Sequence, residues 1–204
     1  MKAIVLFSSG IDSPVAAYLC AEKGIEIIGL NFYNKVLDEN YKKDLIELAK
    51  VVGITKLYFA DHSISHNAYT EKCHFRYQCI FCKRIMMRVA DKLCEKEGCD
   101  FIVTGDNIAQ VATQTIPNLE VVSFLAKNKI LRPLLTFDKN EIISLARKVG
   151  TYDINLKFKG GCPFLPDKPA TTSTVEKIQR EEDKIDVDNL IKEIIEKIIG
   201  VNSK

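Results

Sequence analysis

The fold is decided by residues 2–14, KAIVLFSSGIDSP, near the start of the chain. The first six of these residues form an apolar run rich in branched side chains, which is typical of a fully buried β-strand. A polar loop follows at once, and the apolar segment Val15–Cys20 after it has helical character. Ser13 is a favourable N-cap, and Pro14 suits a first helical turn because its missing N–H costs nothing there. The stretch therefore predicts a strand, a tight loop and a helix N-terminus.

The loop at residues 8–13 has the features of a phosphate site. Its hydroxyls and backbone N–H groups reach a helix N-terminus, which attracts anions, and Gly10 permits close approach. The Asp12 carboxylate would repel phosphate unless a divalent cation lay between them, which points to a Mg²⁺–pyrophosphate site. The alternative is an ordinary strand–turn–helix with a capping serine. A Walker A loop is excluded because the Gly-Lys-Ser/Thr ending is absent.

Composition sets broad bounds on the class of protein. A chain of 204 residues with a net charge of +2 fits one domain with a short appendage and has no strong field for nucleic acid. Its apolar runs are too short for a membrane span, and the N-terminus lacks the layout of a cleavable signal. Seven unevenly spaced cysteines favour metal or redox chemistry in a reducing compartment over a disulfide framework. We therefore expect a cytoplasmic protein.

Strand and helix patterns alternate along the chain, which predicts an α/β fold: an open, Rossmann-like parallel sheet with helices on both faces. Residues 62–82 are the least regular segment, and residues 121–125 are ambiguous between helix and strand. Asp138 and Glu141 form a capping-box analogue at the start of a helix that runs to about Lys148. The other predicted strands are 26–32, 56–61, 101–104 and 130–135, and the other predicted helices are 41–52, 83–98 and a short one beginning in 110–115.

The end of the chain has a different pattern. We expect residues 1–174 to form the main domain and residues 175–204 to form a charged extension with an amphipathic helix. Its apolar residues recur at helical spacing and either cover the domain's own core or form a dimer interface. The stripe consists of Leu190, Ile191, Ile194, Ile195, Ile198 and Ile199.

Several motifs resemble those of one enzyme family. SSGIDS at residues 8–13 is similar to the SGGxDS signature of the PP-loop ATP pyrophosphatases, with Ser9 in place of the usual second glycine. Later segments resemble the catalytic domain of the tRNA 4-thiouridine synthases, and the likeness runs from residue 2 to about residue 174. These segments are CIFCKRIMMR at 79–88, VTGD at 103–106, QVATQT at 110–115, LRPL at 131–134 and ARKVGTY at 146–152.

The resemblance implies an ATP site at the carboxyl edge of the sheet. It implies pyrophosphate binding by the loop, with Asp12 and Lys139 required for catalysis. Without the resemblance, Phe32 reads equally well as a core aromatic. The alternatives for Lys139 and Arg84 are a solvated lysine at a helix start and a surface arginine. The implied ATP contacts are Leu6, Phe7, Asn31, Phe32, Arg84, Gly105 and Gln114, and the implied pyrophosphate loop comprises Ser8, Ser9, Gly10, Asp12 and Ser13.

The cysteines suggest a metal or sulfur site. Cys79-x-x-Cys82 places two thiols on one side of a tight turn, a spacing that suits a tetrahedral thiolate metal. The resemblance implies that Cys162 handles sulfur, and that the three cysteines together hold an iron–sulfur cluster, expected as [4Fe–4S]. A three-cysteine cluster leaves one iron open to sulfide. The alternatives are zinc with Cys73 or His74 as a fourth ligand, direct persulfide chemistry on Cys162, or buried free thiols.

The resemblance implies an ATP-dependent sulfurtransferase. It would adenylate a carbonyl, O4 of a uridine in tRNA or another RNA, and replace the oxygen with sulfur from sulfide or another donor. An ATP pyrophosphatase acting on a small metabolite and an ATP-binding module without chemistry are the alternatives. Only one residue precedes the first strand, so we expect a stand-alone form without the family's tRNA-binding and rhodanese domains, served by a separate RNA-binding partner. The candidate RNA contacts are Lys83, Arg84, Arg88, Lys127, Lys129, Arg132, Lys157 and Lys159.

Overall fold

A six-stranded sheet forms the centre of the molecule in the computed structural model, which describes residues 1–34, 36–108, 111, 113–158 and 162–203. Its order is β5-β4-β1-β2-β3-β6, and all neighbours are parallel except the antiparallel pair β3 and β6. The predicted α/β sheet with helices on both faces is confirmed, and the antiparallel last strand is an addition. The strands are β1 (Lys2–Leu6), β2 (Glu26–Tyr33), β3 (Lys56–Asp61), β4 (Phe101–Val103), β5 (Lys129–Leu131) and β6 (Ile199–Asn202).

Helices cover the sheet on both sides, and a single 3₁₀ turn at Phe75–Tyr77 precedes the longest of them. None of the helices in the described part of the chain has the length and apolar character that crossing a membrane requires. The helices are α1 (Asp12–Ala21), α2 (Glu39–Val51), α3 (Ser63–Lys72), α4 (Gln78–Glu97), α5 (Ile116–Ser123), α6 (Lys139–Val149), α7 (Tyr152–Asn155), α8 (Val175–Glu182) and α9 (Val187–Glu196).

β1 is buried on both of its faces, which explains its unbroken apolar sequence. Successive side chains of a strand point to opposite faces. Ile4 lies in the core cluster that contains α4 and α9, whereas Ala3 and Val5 lie in the cluster that contains α1, α2 and α6. A parallel strand covered on both faces has no polar alternation, so the run at the start of the chain identifies the centre of the sheet.

The start of α1 corrects one expectation from the sequence. The helix begins at Asp12 with Ile11 as N-cap and without a side-chain cap, so Ser13 is not the capping residue. The Ser13 hydroxyl instead accepts a hydrogen bond from the Ser8 backbone N–H at 2.8 Å. Pro14 lies in the first turn, as expected. Ser13 therefore closes the loop onto the helix from inside the first turn.

Residues 62–82 are also more regular than the sequence indicates. They contain α3, the 3₁₀ turn and the first turn of α4, so Cys79 and Cys82 lie on a helix rather than on a tight turn. At the start of α3, the Asp61 carboxylate accepts hydrogen bonds from the Ser63 backbone N–H and from the Ser63 hydroxyl. The buried residues of α3 are Ser65, His66 and Tyr69, which are polar or amphipathic. An apolar periodicity that would reveal this helix is therefore missing.

Three other boundaries differ from the sequence-based interpretation. The short helix expected to begin in 110–115 falls partly on residues 110 and 112, which lie outside the described residues, and the described helix α5 begins at Ile116. The ambiguous segment 121–125 is helical to Ser123, and β5 ends at Leu131 rather than at residue 135. The capping box of α6 is present as expected: the Asp138 side chain accepts from the backbone N–H groups of Asn140 and Glu141.

The residues after 174 pack on the sheet and its helices. In α9, Leu190, Ile191 and Ile194 are buried, and Ile191 and Ile194 belong to the core cluster around α4. β6 then pairs with β3 and covers that edge of the sheet. α8 contributes Glu182, whose carboxylate is buried and accepts hydrogen bonds from the guanidinium groups of Arg84 and Arg88. The end of the chain is thus joined to α4 by apolar packing and by a buried charge cluster.

Replacing Glu182 tests this cluster. Glu182→Gln would leave the fully buried Arg84 guanidinium without its counter-charge, and removing one partner of a buried pair costs about 3–5 kcal/mol of unfolding free energy. Burial raises the pKa of Glu182, but its hydrogen bonds and ion pairs with Arg84 and Arg88 outweigh burial and lower it. The ionised Glu182 therefore contributes fully to the free energy of unfolding above the ordinary glutamate pKa of about 4.3. This contribution is lost as the pH falls through the lower pKa that Glu182 has in the folded protein.

Urea denaturation at pH 7 and at decreasing pH measures both effects. Glu176→Gln, on the exposed side of the same helix, is the matched control and should change stability by less than about 0.5 kcal/mol. Equal stability of the two variants would contradict the buried pair.

Candidate functional site

The carboxyl ends of β1 and β2 border a cleft of about 650 Å³. β1 has β2 on one side and β4 on the other, so the cleft lies near the point where the strand order reverses, the usual ligand site of open α/β sheets. The lining comes from the loop after β1, the end of β2 with the segment that follows it, and two later segments. The lining residues are Leu6, Phe7, Ser8, Ser9, Gly10, Leu30, Asn31, Phe32, Tyr33, Asn34, Val36, Asp38, Tyr41, Met86, Cys162 and Pro163.

The loop after β1 is held by hydrogen bonds from two directions. The hydroxyl oxygens of Ser8 and Ser13 lie 3.0 Å apart, and the Ser8 hydroxyl accepts from the Gly10 N–H at 3.3 Å. From the other side, the Asn155 amide of α7 donates to the Ser9 carbonyl oxygen at 2.9 Å. Sequence reasoning missed Asn155, since nothing in its local pattern shows that it reaches a loop 146 residues away. The loop is fixed beside the α1 N-terminus, where the first N–H groups have no intrahelical acceptor.

Asp12 and Lys139 are brought into direct contact. The Lys139 ammonium donates to Asp12 Oδ1 at 2.7 Å, across 127 residues of sequence. Both side chains are partly exposed. Asp12 is the first residue of α1, and Lys139 is the first residue of α6, which its capping box holds in place. The N-termini of two helices therefore meet at this pair, next to the loop.

Gly105 lies against the start of α1. A Cβ atom at this position would be 2.9 Å from the Ser13 backbone nitrogen and 3.0 Å from the Asp12 carbonyl carbon. Real Cβ atoms do not approach backbone so closely, so only glycine fits here without displacing the loop or the helix. The structure thus gives Gly105 a packing function beside the predicted phosphate loop.

The end of β2 supplies a polar and an aromatic residue to the cleft. The Asn31 amide nitrogen donates to the Phe7 carbonyl oxygen at 2.9 Å and lies 3.2 Å from the Tyr41 hydroxyl. Its Oδ1 is buried without a hydrogen-bond partner among the described residues. Phe32 lines the cleft and packs edge-to-face on His62, with ring centroids 5.2 Å apart. These two side chains fit the expected position of a base.

Arg84 is placed differently from the expectation. Its guanidinium is completely buried, donates to both Glu182 carboxylate oxygens at 2.7 and 3.0 Å, and donates to the Val121 carbonyl oxygen at 2.8 Å. It does not line the cleft. This arrangement corrects the expectation of an ATP contact from Arg84, and it equally excludes the alternative of a surface arginine.

The neighbouring Lys83, an expected RNA contact, forms an ion pair within the chain. Its ammonium donates to Asp106 Oδ1 at 2.8 Å, and Asp106 also accepts from Thr104 and, at 3.4 Å, from Gln114 and Arg132. Burial raises the pKa of Asp106, but Lys83, Thr104 and Arg132 outweigh it and lower the pKa below its ordinary value. The ionised carboxylate therefore gathers Lys83, Gln114 and Arg132 at the end of β4.

The three predicted sulfur residues are near one another. Cys79 and Cys82 lie three residues apart on the first turn of α4 and so share a side of the helix. Burial is the main cause that raises the pKa of both thiols, and the nearby Cys162 thiol raises it further. The Lys83 ammonium partly opposes this increase. Cys162 is exposed and lines the cleft.

Phe164 stacks on His66 at a centroid distance of 4.0 Å and ties the Cys162 loop to α3. Residues 159–161, which precede this loop and include the expected RNA contact Lys159, lie outside the described residues. This stacking therefore helps to hold Cys162 beside the first turn of α4, although the two segments are far apart in the sequence.

Two histidines lie beside these thiols. His62 and His66 are both buried, and His62 Nε2 is 3.0 Å from Cys82 Sγ. Burial and the neighbouring His66 lower the pKa of His62 to about 3, and burial lowers the pKa of His66 to about 4. Both imidazoles are therefore neutral at pH 7.

Cys73 and His74, the expected additional zinc ligands, lie on the α8 side of the molecule. The Cys73 thiol donates to the Glu181 carbonyl oxygen, and the His74 backbone N–H donates to the Glu181 carboxylate. This placement corrects the expectation of a zinc site completed by either residue.

The expected basic face is largely occupied by intramolecular ion pairs. Arg84 and Arg88 pair with Glu182, Arg132 contacts Asp106, and Lys157 pairs with Glu47. Lys127 is mostly exposed and lies 3.6 Å from Glu95. Lys83 is also paired, with Asp106 at 2.8 Å, and the exposed Lys129 is the first residue of β5, at the amino edge of the sheet.

Comparison with known proteins gives a consistent result. A model of the family described as thiamine biosynthesis protein (ThiI) matches residues 1–187. A probable tRNA sulfurtransferase of Alkaliphilus metalliredigens is 40% identical over 201 residues, which are 95% of this chain and 51% of that protein. Another from Methanocaldococcus jannaschii is 37% identical over 190 residues, which are 90% of this chain and 50% of that protein.

A solved structure shows the same architecture. The crystal structure of a 4-thiouridine synthetase in complex with RNA and with bound ATP superposes with a TM-score of 0.92 at 30% identity, over 98% of this chain and 54% of that chain. The chain thus spans about half the length of the relatives that it matches.

A single added methyl group tests the contact between Gly105 and α1. Gly105→Ala should weaken ATP binding by about tenfold or more, because the new Cβ pushes the first turn of α1 and the loop apart. Isothermal titration with ATP measures the effect. Gly53→Ala is the matched control: its positive φ of 77° strains the backbone, but among the described residues, its two chain neighbours apart, no atom lies within 4 Å of the added Cβ. If both variants bind ATP like the unmodified chain, Gly105 does not hold the loop.

Proposed function

This chain belongs to the ThiI family, and we propose that it carries the ATP-activating and sulfur-transferring site of a tRNA sulfurtransferase that makes 4-thiouridine. The observation that supports this most strongly is the meeting of two features in one cleft: the loop residues Ser8 to Gly10 and the thiol residue Cys162 line the same space. A sulfur nucleophile can reach a carbonyl only if activation and delivery occur within contact distance. The names of the matched relatives and the ATP and RNA in the matched structure support the same reaction.

ATP binding follows from the residues around the cleft. We place the base beside Asn31 and Phe32, and the β- and γ-phosphates at the loop of residues 8–13 and the α1 N-terminus, where unpaired N–H groups favour anions. Mg²⁺ fits the Asp12 carboxylate, because carboxylate oxygen is a ligand that this hard cation prefers and only Oδ1 is engaged by Lys139. The cation would reduce the repulsion between Asp12 and the phosphates.

The activation step uses Lys139. The uridine O4 attacks the α-phosphorus, the bond from that phosphorus to the bridging oxygen breaks, and pyrophosphate leaves with the electron pair. The Lys139 ammonium, 2.7 Å from Asp12, is placed to stabilise the charge that develops on the leaving group. The adenylated C4 then carries AMP, which is a good leaving group. Water must be excluded from the cleft because it would compete with sulfur for this carbon.

Delivery of sulfur uses the cysteines. A sulfur nucleophile attacks C4, and AMP leaves with the electron pair of the C4–O bond, which gives the thiocarbonyl. Cys162 lies in the cleft and is exposed, so it can carry or guide this sulfur. The Cys79 and Cys82 thiols stand behind it, and burial keeps both protonated at neutral pH by raising their pKa.

The donor set fits an iron–sulfur cluster better than one zinc ion shared by the three cysteines. Two thiolates on a tetrahedral zinc lie about 3.8 Å apart. Within the described part of the chain, the sulfurs of Cys79, Cys82 and Cys162 do not all lie within 4.8 Å of one another. A cluster held by these three thiolates would supply an iron that is free to bind sulfide. A persulfide on Cys162, loaded by a persulfide donor, is the second route: its outer sulfur would bond to C4, and the nearby thiol of Cys79 or Cys82 would break the S–S bond by forming a disulfide with Cys162.

Measuring pyrophosphate release and 4-thiouridine formation separately tests the proposal. With ATP, sulfide and unmodified tRNA, Lys139→Met should lower pyrophosphate release by about 100-fold or more, since it removes a charge that acts in the transition state. Cys162→Ser should still release pyrophosphate but form no 4-thiouridine, measured by nucleoside mass spectrometry. Cys73→Ser, whose buried thiol donates to the Glu181 backbone carbonyl and does not line the cleft, is the matched control and should retain both reactions. Thiolation by the Cys162 variant at the control's rate would refute the assigned role.

Anaerobic loading with iron and sulfide tests the cluster separately. The unmodified chain and Cys73→Ser should bind iron and sulfide and absorb in the visible range, whereas Cys79→Ser should lose most of the bound iron because it removes one of three thiolate ligands. Retention of a full iron content by Cys79→Ser would exclude the three-cysteine cluster and leave the persulfide route.

A further inference from the structure

His62, His66 and Cys82 form a second group of ligands beside the cleft. Among the residues that the structure describes, this is the one set of three His, Cys, Asp or Glu side chains whose ligand atoms all lie within 4.8 Å of one another. Both imidazoles are almost completely buried, with exposed fractions of 1% and 2%. Neither histidine has a part in the reaction described above. The proximity of two buried imidazoles and a thiol therefore needs its own explanation.

The hydrogen bonds of His62 direct a lone pair at the Cys82 sulfur. The Ser65 hydroxyl donates its proton to the His62 carbonyl oxygen at 2.9 Å, so its oxygen accepts from His62 Nδ1–H at 2.8 Å. The proton of the neutral ring is thus on Nδ1, and Nε2 is an acceptor. His62 Nε2 lies 3.0 Å from Cys82 Sγ. Once the Cys82 thiol loses its proton, this lone pair is available to a metal ion, and an oxygen bonded to the other ring nitrogen is the usual arrangement of a metal-binding histidine.

His66 carries the independent sign of a missing ligand. Among the residues that the structure describes, its Nε2 is buried without a hydrogen-bond partner, and so is Oε1 of Gln78, whose amide nitrogen lies 2.9 Å from His66 Nδ1. Turning the Gln78 amide by half a turn lets Oε1 accept from Nδ1–H and leaves a lone pair on Nε2. In either orientation, an unpaired ring nitrogen costs about 1–3 kcal/mol of desolvation. An ion bound at Nε2 removes that cost.

We propose that His62, His66 and Cys82 bind a single zinc ion. Two imidazole nitrogens and one thiolate are a donor set that zinc accepts, and three protein ligands leave a fourth position open. On binding, the Cys82 thiol releases its proton to solvent and zinc keeps its oxidation state. A tetrahedral site needs about 3.6 Å between the nitrogen and sulfur donors, so the 3.0 Å contact opens by about half an ångström.

This ion would compete with the sulfur-transfer site for one thiolate. Cys82 points to the histidines and is also one of the three cysteines assigned to sulfur chemistry. The competition rests on the proposed function, whereas the zinc site does not. Zinc at His62 and His66 would therefore withdraw Cys82 from the group formed with Cys79 and Cys162, and would block assembly of an iron–sulfur cluster.

Cobalt(II) titration of the untagged chain tests the site without ATP or RNA. The double variant Cys79→Ser/Cys162→Ser keeps the proposed ligands and removes the other two thiols. We expect it to bind one Co²⁺ with the intense visible bands of a tetrahedral ion and a sulfur-to-cobalt charge-transfer band, and to release it to Zn²⁺. Adding His66→Gln or Cys82→Ser should weaken binding by about 100-fold or more, because each removes a direct ligand.

His74→Gln, which changes the third histidine of the chain, is the matched control and should bind like the double variant. Circular dichroism and the melting temperature show whether each variant is folded, and zinc should raise the melting temperature only where both histidines and Cys82 are present. The proposal is overturned if the double variant gives no thiolate–cobalt band, or if its His66→Gln form binds as tightly as its His74→Gln form.

A separate measurement tests the competition. Preloading the unmodified chain with one equivalent of zinc should lower subsequent iron and sulfide uptake, and His66→Gln should relieve this inhibition. Unchanged uptake after zinc loading would remove the competition but leave the cobalt result valid. Failure of thiolation with intact cobalt binding would instead count against the proposed function alone.

Discussion

The buried ion pair between Arg84 and Glu182 fixes the rotation of α4, and the site depends on that rotation. A helix turns by about 100° per residue, so neighbouring side chains cannot share one direction. Because Arg84 is directed to α8, Lys83 is directed to Asp106 at the end of β4. The same rotation places the two cysteines of the first turn beside the cleft. A charge pair at the back of the helix thus positions the ligands at its front.

A second constraint is the meeting of distant segments at one edge of the sheet. Parallel strands end at the same edge, so the loops that follow them converge however far apart they are in sequence. Asp12 and Lys139 touch in this way, and Gly105 passes close to the first turn of α1 because it has no side chain. Asn155 holds the loop from the far side. The site is therefore assembled from helix N-termini, which are rigid and favour anions.

Cys82 links the two kinds of chemistry that the structure supports. On one side lie Cys79 and Cys162, and on the other lies His62 at 3.0 Å. Because the Cys82 sulfur has two sets of neighbours, a metal that binds it together with one set would make it unavailable to a metal held by the other set. Burying His66 Nε2 without a hydrogen-bond partner among the described residues costs free energy, and a metal ion bound there would remove that cost.

The sequence by itself determined the α/β class with its alternating parallel strands, the central position of β1, the loop with Gly10 and Asp12, and the capping box of α6. Each of these depends on contacts between residues a few positions apart, or on an apolar run that is buried on both faces. Tertiary structure alone decided that Lys83 rather than Arg84 faces Asp106, that α3 is a helix, and that His62 and His66 meet Cys82. Those outcomes depend on which face of a helix is buried and on polar contacts across many residues, and local periodicity carries no information about either.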